Sequence, residues 1–156
     1  MKLLFICTHN RCRSVLAEAI TNHLSAGKVR AYSAGSQPAG EVHPQTIHHL
    51  QTRGIPTDGL SSKSWHELEG LCPDAVITVC DSAAGESCPL WLGDSVKVHW
   101  GLPDPSKLQG PEVEAAFFSV MDNIEARIRM LLEEDTGNLC GEKLRQVLVK
   151  IAEEKR

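Results

Sequence analysis

No stretch of this 156-residue chain approaches the roughly 18 consecutive apolar residues of a membrane-spanning helix. The apolar run at Leu3 to Ile6 gives way at once to Thr8-His9-Asn10-Arg11, far short of the about 7–15 apolar residues in a secretory signal. The expected location is therefore the cytoplasm, with no membrane partner. Basic residues are not in excess. The formal net charge is −4 with the histidines counted neutral, which argues against a nucleic-acid partner. An anionic substrate is still allowed, because a few local donors hold an oxyanion against a mildly acidic background. Aromatic residues are only 4% of the chain, so aliphatic side chains must build the core. There is no Gly-x4-Gly-Lys-Ser/Thr phosphate loop, no internal repeat and no low-complexity tract. Cysteine, in contrast, is plentiful: Cys7, Cys12, Cys72, Cys80, Cys88 and Cys140. A chain of this length buries a core without disulfide staples, so thiol chemistry or metal binding is the better reading. The spacings Cys7-x4-Cys12 and Cys80-x7-Cys88 do not match zinc-ligand patterns.

Apolar patterning predicts alternating strands and helices. Leu3 to Ile6, Val29 to Tyr32, Ala75 to Val79 and Val96 to Trp100 read as strands. Helical spacing runs from Ser14 to near Gly27, from Pro44 to Thr52, from Pro111 to Leu132 and from about Gly141 to Glu154, with a short helix at Ser62 to Leu68. Ser33 to Gly40, Cys80 to Gly93 and Gly101 to Gly110 read as loops. The alternation predicts an α/β domain with a parallel sheet. Glu133 to Asn138 is the weakest joint, and Leu144, Val147, Leu148 and Ile151 form a stripe read as core packing on the last helix. His43, His48 and His49 read as solvated helix residues.

Ligands of α/β sheets sit at the carboxyl ends of strands, where helix N-termini point. The first such turn is Cys7-Thr8-His9-Asn10-Arg11-Cys12-Arg13-Ser14, of the form Cys-x5-Arg-Ser. Successive backbone amides from Thr8 to Arg13 can wrap a tetrahedral oxyanion, and the Arg13 fork can grip two of its oxygens. The helix N-terminus that follows favours a thiolate at Cys7, and the Ser14 hydroxyl can steady it. Cys80 ends the predicted central strand, beside this loop, and Cys88 follows it on a segment of small residues. Asn10 reads as a turn residue bracing the loop. Cys12 reads as structural or redox-sensitive, and Cys72 and Cys140 as bystanders.

The Cys7 loop, Ser33-Ala34-Gly35 after the second strand and Asp104-Pro105 in a late loop resemble the low-molecular-weight tyrosine phosphatase family over about residues 1–132. The resemblance implies a four-stranded parallel sheet flanked by helices, with Asp104 as general acid. A helical extension at 135–156 would follow a catalytic region at 1–134. Ser106 and Lys107 stand after Asp104-Pro105, where tyrosine phosphatases of this type place aromatic residues. Together with the Cys80–Cys88 pair and His99-Trp100-Gly101, this looks like the arsenate reductases that share the fold, whose cysteines are usually one residue closer. The implied chemistry is arsenate reduction through Cys7, Cys80 and Cys88, with no bound cofactor and an external thiol reductant, thioredoxin or glutathione/glutaredoxin. The alternative is a phosphatase hydrolysing phosphate monoesters through Cys7. Asn10 and Glu18 match two potassium ligands of some related reductases, while the stretch Ser61 to His66 does not match the rest, so no bound metal is expected.

Overall fold

A computed structural model describes residues 1–80, 95–108 and 110–154. Strands β1 (Lys2–Ile6), β2 (Arg30–Ala34), β3 (Ala75–Thr78) and β4 (Val96–His99) form one parallel sheet in the order β2-β1-β3-β4. Four α-helices are described: α1 (Arg13–Ser25), α2 (Pro44–Thr52), α3 (Glu112–Leu132) and α4 (Gly141–Glu153). Short 3₁₀ turns stand at Trp65–Leu68 and Pro105–Lys107. The parallel sheet, its flanking helices and the additional C-terminal helix agree with the sequence reading.

The physical basis is direct. Leu3, Leu4, Phe5 and Ile6 are all buried, so β1 is covered on both faces, as the continuous apolar run requires. At the sheet edge β4 alternates instead, with Val96 and Val98 buried and Lys97 and His99 exposed. On α3, Phe117, Val120, Met121, Ile124, Ile128 and Leu131 form the buried stripe. Among the described residues Phe5, Trp65, Trp100 and Phe117 are buried in the core, where Phe5 and Trp100 lie 6.2 Å apart between ring centroids.

Helix α4 packs on β4 and α3. Leu144, Leu148 and Ile151 are buried in the same core as the sheet, and the Trp100 indole N–H donates to the Leu148 carbonyl at 3.0 Å. Leu148→Ala is expected to cost about 2–5 kcal/mol by cavity formation. Val149→Ala, one residue on and exposed, should stay within about 0.5 kcal/mol. Urea unfolding of the two variants measures the difference.

Two local expectations differ from the structure. Strand β2 runs on through Ser33 and Ala34, which pair with Phe5 and Ile6, so burial against β1 overrides their small-residue loop character. His49 is not solvated. It is 3% exposed, stacked at 4.3 Å on Phe117, and its Nδ1–H donates to the Gln45 carbonyl at 2.7 Å. Residues 81–93 of the expected loop after Cys80 lie outside the described residues, and Cys88 with them.

Register levels the strand ends. Ile6 pairs with Ala34 on one side and Thr78 on the other, and Thr78 pairs with His99. The strand order reverses between β1 and β3, where open α/β sheets form a ligand crevice. Cys7, Gly35, Cys80 and the loop to Asp104 all leave the sheet along this one rim.

Candidate active site

A cavity of about 280 Å³ opens at that rim. Cys7, Arg13, Cys80 and Asp104 all line it, with Thr8, His9, Arg11 and Cys12 from the loop and Lys107 at its edge. Three separated stretches of the chain, at Cys7 to Arg13, Cys80, and Asp104 to Lys107, thus converge on one opening, whereas Asn10 and Ser14 sit behind it, fully buried.

The loop from Cys7 to Cys12 is held from outside through its carbonyl oxygens. The Thr8 carbonyl accepts from the Gln37 amide at 2.9 Å, and that of His9 accepts from the Ala39 amide at 2.9 Å and the Ser62 hydroxyl at 3.1 Å. The Arg11 carbonyl accepts from the His43 amide at 2.9 Å and the Thr46 hydroxyl at 3.2 Å. In a trans peptide the N–H points opposite the C=O, so the following amides of His9, Asn10 and Cys12 are turned inward, as an anion cradle needs. Cys12, at the start of α1, makes no side-chain cap hydrogen bond, and the first turn holds no acidic residue. The orphan amides of that turn remain available to an anion. The amide of Thr8 is engaged differently: it donates to Cys80 Sγ at 3.4 Å, with the Thr8 hydroxyl 3.8 Å from the same sulfur. His9 turns its ring aside, Nδ1–H donating to the Gln37 carbonyl at 3.0 Å.

Cys7 is 5% exposed, and its sulfur lies 3.0 Å from Ser14 Oγ. Asn10 Nδ2 donates to the same Ser14 oxygen at 2.8 Å. The Ser14 proton is thereby left for the sulfur, and a thiolate at Cys7 would receive it. Arg13 spans the mouth, Nη1 donating to the Leu102 carbonyl at 3.0 Å and Nη2 standing 3.6 Å from Asp104 Oδ2. Asp104 is clamped by the residue two positions on, its Oδ1 accepting from the Ser106 amide at 2.9 Å and the Ser106 hydroxyl at 2.6 Å. Burial works to raise the Asp104 pKa, but these two bonds, with Arg13 and Lys107, outweigh it and hold the carboxyl below its ordinary range. Cys12 is driven the other way: burial pushes its thiol up to about 12, against a lowering hydrogen bond from Thr46. Cys7 and Cys12 are free and buried, Cys72 and Cys140 free and exposed, and Cys80 is buried.

Gly35 is the point of closest approach. A Cβ there would overlap the Thr8 carbonyl and lie 2.6 Å from that of Cys7. The Ser106 clamp and the contacts of Lys63 with the loop had no motif to announce them.

A model of the low molecular weight phosphotyrosine protein phosphatase family matches residues 2–145. The chain belongs to this family. Within it, the chain is 34% identical over 131 residues to an arsenate reductase of Shouchella clausii, covering 83% of this chain and 93% of that one. It is 30% identical over 131 residues to the glutaredoxin arsenate reductase of Synechocystis sp., covering 84% and 95% respectively. Among solved structures it is similar to a thioredoxin-dependent arsenate reductase of Corynebacterium glutamicum, with a TM-score of 0.65 and 30% identity, covering 85% of this chain and 60% of that one. A phosphatase-family loop here accompanies a second buried thiol, Cys80, against its first amide. The described lining of the cavity contains no Phe, Tyr or Trp.

Proposed function

We propose that this chain reduces arsenate to arsenite, with Cys7 as nucleophile and Cys80 and Cys88 as a disulfide relay. The observation that carries the reading is Cys80 Sγ held by the Thr8 amide beside the oxyanion loop, where phosphate-ester hydrolysis has no use for a second thiol. The arsenate-reducing relatives support it.

Arsenate enters as a tetrahedral anion on the inward amides and Arg13. The Cys7 thiolate attacks arsenic, an S–As bond forms, and an As–O bond breaks with the oxygen leaving as water. In the free site Asp104 is ionised and paired with Arg13. As Arg13 turns to the bound anion, the like charge beside Asp104 raises its proton affinity, and it carries the proton to the leaving oxygen. Cys80 then attacks the Cys7 sulfur. An S–S bond forms, and the S–As bond breaks with its electron pair remaining on arsenic, now arsenite. Two thiols have supplied two electrons. Cys88 attacks Cys80, frees Cys7, and leaves a Cys80–Cys88 disulfide for an external thiol reductant, thioredoxin or glutaredoxin. Residues 1–134 carry this chemistry and 135–156 form a helical extension. The reading fits a cytoplasmic protein, where thiols stay reduced.

The test follows arsenite release with a thioredoxin system and with glutathione–glutaredoxin, alongside hydrolysis of an aryl phosphate. Arsenate-dependent turnover with at least one donor is expected, and Cys88→Ser should abolish it with the thioredoxin system. No arsenite with either donor, together with aryl phosphate hydrolysis indifferent to Cys88→Ser, would make the chain a phosphatase.

A further inference from the structure

Behind the oxyanion loop, and outside the cavity, lies a lysine with no surface role. The Lys63 side chain is only 18% exposed, and Nζ donates to the carbonyls of Ser33 and Ser61 at 3.0 Å each and stands 3.9 Å from Glu18 Oε1. Glu18 is itself 14% exposed and accepts from the Ser33 hydroxyl at 2.5 Å. An ammonium taken from water into such a place must be surrounded by oxygen, and this one is. The main chain of the same residue reaches the loop. The Lys63 amide donates to Asn10 Oδ1 at 2.9 Å, and its carbonyl accepts from the Gly35 amide at 3.0 Å. Asn10 is fully buried with a φ of 45°, a left-handed backbone that needs support from its surroundings. Its side chain is held at both ends, by Lys63 and by Ser14, and Ser14 contacts the Cys7 sulfur.

The potassium ligands implied by Asn10 and Glu18 do not fit here. Both ends of the Asn10 amide are engaged, and the Glu18 carboxylate faces Ser33 and the Lys63 ammonium. A metal ion in the same cradle would meet a positive charge already in place.

We infer that Lys63 is a positioning residue: its ammonium is an internal cation that anchors the segment whose amide fixes Asn10, and through Asn10 the Ser14–Cys7 pair, so that the loop needs no alkali-metal ion. The inference rests on Cys7 being the loop nucleophile, which the reductase and phosphatase readings share. Its test therefore uses oxyanion binding rather than turnover. The probe is inorganic phosphate, its affinity measured by calorimetry in potassium chloride and in tetramethylammonium chloride at equal ionic strength. The alkylation rate of Cys7 is followed across pH in the same buffers. The wild type should be indifferent to the exchange within about twofold. Lys63→Ala should bind phosphate at least tenfold more weakly and move the alkylation profile, with potassium or ammonium, but not the bulky tetramethylammonium, restoring part of both. Lys28→Met, an exposed lysine elsewhere, serves as the charge control. Lys63→Ala binding phosphate within twofold of wild type, or wild type gaining affinity severalfold in potassium, would overturn the inference. The second outcome needs no variant to fold. A wild type without arsenate turnover would refute the reductase reading and leave this test standing.

Discussion

Serine in place of Cys80 should lower arsenite release at least a thousandfold with either donor. Cys80 is 4% exposed just past β3, and its sulfur receives the Thr8 amide. Its place is on the flank of the loop that carries Cys7. A serine hydroxyl is a slightly smaller group that can accept a hydrogen bond at the same place, but it does not attack sulfur. The S–As adduct on Cys7 then has no partner to break it, and arsenic stays at the +5 state. Oxyanion binding should survive, because the inward amides and Arg13 are untouched. The measurement is reductant-coupled turnover paired with phosphate affinity. Loss of turnover with retained affinity is the expected pair, and turnover within tenfold of wild type would sink the relay.

The second large effect comes from one methyl group. In Gly35→Ala the added Cβ meets the backbone carbonyls of Thr8 and Cys7, not the end of a flexible side chain. Neither side yields easily. The Gly35 amide and carbonyl are bonded to Lys63 and Trp65, and the Thr8 carbonyl is bonded to Gln37. Overpacking of this kind costs about 1–3 kcal/mol. For a chain of this size that lowers Tm by about 3–10 °C. The loss of activity should exceed the loss of stability, because a displacement of about 1 Å at a reacting atom can cost on the order of 100-fold in rate. We expect kcat/KM to fall at least 100-fold while far-ultraviolet circular dichroism stays unchanged. Gly137→Ala, whose new Cβ meets only Asp135 Oδ1 at 3.8 Å, should be silent.

The parts of this site that were legible in the sequence are those whose chemistry is local. Cys7, Arg13 and Ser14 are spaced to close one turn around an anion, and that spacing survives folding unchanged. Cys80 could be placed because parallel strands bring their carboxyl ends to one rim, whereas Asp104 was legible only through the resemblance of its Asp-Pro loop to the family. Lys63 could not. Its partner Asn10 is 53 residues away, and they meet only because Ser64 bridges to Gly35 beyond the end of β2. His49 was misread for a related reason. A helix face takes its polarity from what packs on it, and Phe117 is distant in sequence. Ser33 and Ala34 have little strand propensity of their own and owe their place to β1.

Three sulfurs line one cavity, and this raises a question of competition. An adduct on Cys7 can be resolved by any nearby thiolate, and resolution by Cys12 would produce a disulfide inside the loop itself, trapping the nucleophile. With burial pushing its pKa up to about 12, the Cys12 thiol stays protonated at neutral pH. Burial thus works against a Cys12 thiolate beside the reaction, and in the proposed relay it protects the loop from closing on itself before Cys80 acts.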